Sequence, residues 1–247
     1  MKKIYRKLFI SLMSVMLALS SLVVSTFAWF SMNEEVVVEG LEITVDSNSI
    51  YLIVGTENNL TAVQTAGETS LDFGMIFAES KVFPSAHETL TNASDANTYG
   101  NWYYQFGDSP SASTSTKAKN YLTANNFDSY VIHKVCYLTV TVGSNPAENL
   151  VVSGVTITSN SSATGNNATL TPVKIVIASS TAVVELDSTN TSSNTVLVDT
   201  ITDQALVAID IFLYYNGNDA SVYTNNVANL DGAEIEIEFS VDSIYNG

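Results

Sequence analysis

The chain has 247 residues, 46% of them hydrophobic, with one cysteine, two histidines and a formal charge of −16. Acidity excludes a nucleic-acid binder, the lone thiol excludes a disulfide scaffold, and the apolar content excludes a disordered tail. The charge is unevenly placed. Lys2, Lys3, Arg6 and Lys7 supply four of the nine basic residues and residues 1–28 hold no acid, so the rest carries 25 acids against five lysines and no arginine.

The first element is a cationic leader, MKKIYRK, followed by the serine-diluted apolar stretch LFISLMSVMLALSSLVVSTFA. A positive leader, an apolar core and small residues before a cut form a secretory signal, with the cations held on the cytoplasmic side. Thr26 and Ala28 fit the −3 and −1 positions, which makes Trp29 the first mature residue. The alternative is an uncleaved anchor, since residues 8–30 are long enough to cross a bilayer of about 20 helical residues. Either way most of the chain lies outside the membrane, touching it only through residues 8–30. The domain reading is a signal or anchor over 1–28, an extension over 29–40 and a β-sandwich over 41–247.

Beyond residue 40 the repeated signal is period-2 alternation in runs rich in Val, Ile, Thr and Tyr, bounded by Asn, Ser, Gly and Asp. In chain order the expected strands are 41–45, 50–54, 129–142, 150–158, 172–178, 195–201, 204–215 and 233–241. In the third long run Ile132, Cys136, Leu138, Val140 and Val142 share a face. In QALVAIDIFLYY the shared face is Val207, Ile209, Ile211, Leu213 and Tyr215, with Asp210 opposite. In AEIEIEFSV it is Ile235, Ile237, Phe239 and Val241, with Glu234, Glu236 and Glu238 opposite. No segment after the signal sustains a helical period; residues 114–126 offer at most a short helix. The tracts 158–169 and 188–195 are small and polar, as solvated loops are, and Asn216-Gly217 suits a tight turn. Strands with one wet face each describe an all-β fold, an antiparallel β-sandwich of jelly-roll type behind the N-terminal signal or transmembrane helix. The stretch 79–128 lacks alternation and reads as a long insertion packed on the sandwich.

Catalytic constellations are scarce. His87-Glu88 opens like a zinc-protease helix, but the second histidine position holds Thr91. His133 and Cys136 are separated by an odd number on a strand, so their side chains point to opposite faces and the thiol reads as inert core. The many acids read as solvated strand faces, with no spacing that marks a working pair. Asp46-Ser47-Asn48-Ser49 begins like a cation loop and fails at Ile50. The reading is therefore of no catalytic residue, no cofactor and no specific metal, with weak, non-specific calcium binding at most. Trp102, Tyr103 and Tyr104 admit two readings, a ligand platform for glycans or an aromatic cap on the core.

The junction STFAWFSMNEEVVVEGLEITV resembles the start of the TasA/camelysin-type exported proteins of Firmicutes, which carry a signal cut by a SipW-type peptidase and an aromatic-rich mature end. The matching residues are Ala28-Trp29-Phe30, the polar step after them and the Gly40-Leu41 entry into the first core strand. GAEIEIEFSVDSIYNG is similar to that family's last strand, with Ser243-Ile244-Tyr245 where an Ala-Ile-Gln-like ending is common. The middle looks more like other surface proteins of Firmicutes and Tenericutes that share the AWFS junction. The resemblance implies a non-enzymatic jelly-roll subunit of extracellular biofilm-matrix fibres, self-associating or joining other surface proteins. In that family the mature N-terminal segment completes a neighbour's sheet. Here the donor would be Trp29, Phe30, Val36, Val37 and Val38, an extended run able to add to a sheet edge. The competing reading makes Val36–Val38 the first strand of the same domain, and the competing function is a monomeric surface adhesin or glycan-binding module.

Overall fold

The computed structural model describes residues 41–47, 52–72, 82–109, 114, 117–159, 172–223 and 233–243, all within one unit, Val36–Gly247. It is mostly β. The strands are β1 (Leu41–Ser47), β2 (Leu52–Gly55), β3 (Ser70–Asp72), β4 (Ser85–His87), β5 (Trp102–Tyr104), β6 (Asn120–Tyr121), β7 (Val131–Val140), β8 (Ala147–Ser159), β9 (Val173–Ala178), β10 (Val183–Asp187), β11 (Ser193–Ile201), β12 (Val207–Tyr215) and β13 (Ala233–Ser243). The first sheet has the order β11-β8-β13-β1-β3, the second β10-β9-β12-β7-β2, and a small third sheet β4-β5-β6. Among the described strands every pairing is antiparallel except one. β1 runs parallel to the C-terminal β13, with Leu41 opposite Ile235 and Val45 opposite Phe239.

Alternation explains why these runs pair as they do. Leu41 and Ile43 on β1, Leu150 and Val152 on β8, and Ile237 and Phe239 on β13 face inward from the first sheet. They meet Leu138 of β7, Ile175 and Ile177 of β9, Leu186 of β10, and Ile209 and Ile211 of β12 from the second, in one sandwich-like core. Each such side chain contributes about 1.5–3 kcal/mol when withdrawn from water. Cys136 lies fully buried in the same layer, where burial pushes its thiol up to about 12, so it stays an unreactive thiol. Val142, placed on that face by alternation, lies past the strand end in the turn containing Gly143 (φ 78) and is 67% exposed.

The second sheet has no wet face at its centre. On its outer side Val176, Ala178, Phe212 and Tyr214 form a second core with Ala96, Trp102, Leu122, Phe127 and Val131. The described residues of 82–130 thus form a third layer over the second sheet. The alternation alone places Asp210 opposite the core face, but this layer covers it, and Asp210 is buried.

Two short α-helices occur among the described residues. Leu60–Ala66 starts at Asn59, whose Oδ1 accepts the Ala62 N–H, and stops at Gly67 (φ 63), whose N–H donates to Val63 O. Its one buried residue, Val63, sits so close to Gly55 that a Cβ there would stand 2.8 Å from Val63 Cγ2. Ala93–Ala96 is a single turn capped by Asn92. The described part of 114–126 holds no α-helix; it contains β6 and a turn. Among the described residues no helix is long and apolar enough to cross a membrane.

Candidate functional site

Three surfaces emerge: the seam under the insertion, the outer face of the first sheet, and the exposed aromatics of the insertion. The sequence-derived cleavage and assembly residues Ala28, Trp29, Phe30, Val36, Val37 and Val38 lie outside the described residues. So does Asn48-Ser49 of the cation-like loop.

The seam is built from both histidines. His87, at the end of β4, donates through Nδ1 to the Glu88 carbonyl at 2.7 Å and places Nε2 3.2 Å from Glu185 Oε2 on β10 and 3.1 Å from the Tyr214 hydroxyl on β12. Tyr214 in turn donates to Glu185 Oε1 at 3.1 Å. The bond from His87 holds the Glu185 carboxyl below its ordinary value against the opposing effect of burial, and burial holds the Tyr214 phenol well above its own. Along the same face His133 lies flat on Phe212, ring centroids 4.3 Å apart, and sets Nε2 2.7 Å from Asp210 Oδ1. Asn97, from the insertion, donates to that same oxygen at 3.0 Å. His133 and Cys136 do point to opposite faces, so they form no thiol–imidazole dyad.

Next to the seam Lys174 of β9 stands in register with Asp187 of β10 and contacts its carboxylate. Burial alone would raise the Asp187 carboxyl. Lys174, together with Thr189 and the Asn190 N–H, outweighs it and drives that carboxyl far down. The Glu185 and Asp187 carboxyls are therefore both held toward the charged form, each by hydrogen-bond partners. Among the described residues no three His, Cys, Asp or Glu side chains converge to hold a metal ion.

Trp102 offers no surface to a ligand. It is 0% exposed, its Nε1 donates to Ala96 O at 2.8 Å, and it packs between His87, Phe127, Phe212 and Tyr214. Tyr103 is buried as well, and Tyr104 is half-buried, stacked on Tyr130 at 5.4 Å. Of that trio, Trp102 is the anchor of the second core. The exposed aromatics lie elsewhere on the insertion, at Phe83 (45%), Tyr99 (43%) and Tyr121 (49%). Their signal in the sequence was faint, because single aromatics in polar, proline-bearing stretches carry no period.

The outer face of the first sheet is anionic. Register sets Glu42 between Glu236 and Asp72, and Asp242 opposite Glu148, while the five strands of this sheet contain no Lys, Arg or His. Like charges side by side on a sheet are destabilising unless solvated, and Glu42, Asp72, Glu238 and Asp242 are exposed. Glu238 lies over Gly154, where a Cβ would meet its Oε2 at 2.7 Å.

Comparison with protein-family models, with curated proteins and with solved structures gives no match.

Proposed function

We propose that this chain is a secreted, non-enzymatic structural subunit of the bacterial cell surface, a TasA/camelysin-like jelly-roll protein. It assembles into an extracellular fibre or biofilm matrix by strand donation. In this reading residues 1–28 direct export, with cleavage between Ala28 and Trp29 or retention as an anchor. Residues 29–38 then leave their own subunit and add to a sheet edge of the next.

The observation that carries the reading is where the chain enters the body. Leu41 is fully buried and paired with Ile235 in the interior of the first sheet, in the one parallel pairing between the strands described. A segment that runs straight on from that point leaves the sheet along a strand axis. Ten extended residues reach about 33 Å, enough to cross a neighbouring sheet. Among the described residues β11 and β3 end the first sheet and β10 and β2 the second, and these are the acceptor edges of the reading.

Size-exclusion chromatography with light scattering on residues 29–247 and on the same chain lacking 29–38 tests this. The reading expects oligomers from the first and a folded monomer from the second. Equal oligomerisation of both would remove the donor segment from the account. The monomeric glycan-binding alternative keeps one observation in its favour, the exposed aromatic residues of the insertion.

A further inference from the structure

We propose that the outer surface of the insertion binds a neutral saccharide at Tyr121, Glu88 and Lys119, which the buried Tyr103 supports from beneath. The residues come together because β4, β5 and β6 form one small sheet. Tyr121 pairs with Tyr103 across β5–β6, and Glu88 follows directly on β4. Tyr121 meets Tyr103 in a T-shaped contact, centroids 5.9 Å apart, yet keeps 49% of its surface open. Lys119 Nζ lies 4.7 Å over the Tyr103 ring and donates to Glu88 Oε1 and Oε2 at 2.7 and 2.8 Å. The Tyr121 hydroxyl donates to Glu88 Oε1 at 2.7 Å.

The ligand class follows from what these groups have left over. A carboxylate has about four acceptor positions, and three are used here, so Glu88 retains one. Lys119 keeps a donor, and the Tyr121 oxygen keeps its acceptor lone pairs. Donors and acceptors mixed within a few ångström match vicinal hydroxyls, each of which both donates and accepts. The apolar part of the ligand has a place as well, because a pyranose with equatorial hydroxyls presents a flat C–H face to an aromatic ring. Charge narrows the class. Glu88 and Lys119 cancel each other at the site, so the pair has no net attraction for an anion or a cation, in contrast to the first sheet, whose strands carry carboxylates and no Lys, Arg or His. The side chains of Glu88 and Lys119 are 36% and 38% exposed, so a ligand reaches them without any rearrangement.

The inference stands beside the fibre reading and does not depend on it; a monomer that binds sugar satisfies this one, and a fibre that does not satisfies the other. The test is calorimetric titration of the full chain with cellohexaose and, separately, with N-acetylchitohexaose at millimolar concentration, repeated for Tyr121→Ser and for Tyr99→Ser. Saturable binding of either oligosaccharide is expected, weakened about tenfold by Tyr121→Ser and unchanged by Tyr99→Ser, a difference of about 1.4 kcal/mol. Both substitutions fall on exposed positions outside the second core, so thermal melts serve as the check that each variant is folded. No saturable binding of either oligosaccharide overturns the proposal, as does equal binding by Tyr121→Ser.

Discussion

Thr139 is fully buried on β7, opposite Ile53 of β2, and its hydroxyl has no hydrogen-bond partner among the described residues. A buried polar group left without a partner costs about 1–3 kcal/mol of desolvation. Thr139→Val keeps the β-branched shape and removes that group, so it should raise stability by about 1 kcal/mol, read as a higher urea midpoint at unchanged slope. A lower midpoint would mean that the hydroxyl has a partner after all. The bond from His87 holds the Glu185 carboxyl below its ordinary value of 4.5, so its contribution is complete above about that pH and fades as pH falls through the lower folded value. Asp187, depressed by Lys174, follows the same direction further into acid. Glu185→Gln should therefore lose stability at neutral pH and narrow its gap to the parent as the pH is lowered through the carboxylate range, seen in melts between those limits. A constant gap across that range would assign the loss to packing instead.

At the scale of elements, the insertion is attached through one dominant side chain. Trp102 opens the short β5, a strand of three residues that owes its place to tertiary contacts more than to pairing. Trp102→Ala should cost about 3–5 kcal/mol, as large aromatic truncations in a core do. The near-ultraviolet signal should fall while the far-ultraviolet β signature survives, because the main core between the two large sheets does not include it. Gly217 marks the other attachment. Its φ is not positive, and a Cβ there would stand 1.5 Å from Gln105 O, so glycine is required for close approach and not for the turn conformation that the Asn-Gly pair implied. The long strands were legible in the sequence because each exposes one periodic apolar face to one core. Where two layers cover a strand the period fails. β12 is buried on both faces, so Phe212 and Tyr214 read as the wet side although they are core. β10 went unseen because its five residues, VVELD, break alternation with the buried Asp187. The helix Leu60–Ala66 buries a single residue and so has no period to find; only its caps, Asn59 and Gly67, announce it. The seam was illegible for a related reason. His87, Glu185 and Tyr214 are far apart in the chain and meet only because the insertion folds back over the second sheet.

For the molecule as a whole, charge and topology pull in different directions. Past residue 28 the chain carries 25 acids against five lysines, and the first sheet turns a face of carboxylates outward with no cation among its strands. Subunits of one sign repel over the Debye length, about 10 Å at 0.1 M salt, so assembly should strengthen as salt or divalent cations screen that repulsion. Strand addition, by contrast, rests on backbone hydrogen bonds, which are indifferent to sequence charge and pair wherever an edge is open. Under the proposed function, the two terms together predict a subunit that stays dispersed in dilute buffer and joins its neighbours when salt or divalent cations screen its charge. Electron microscopy of purified residues 29–247, with and without millimolar calcium, tests that account most directly. Filaments or a ladder of oligomers, increased by calcium, are the predicted result, and a uniform monomer under every condition would contradict it.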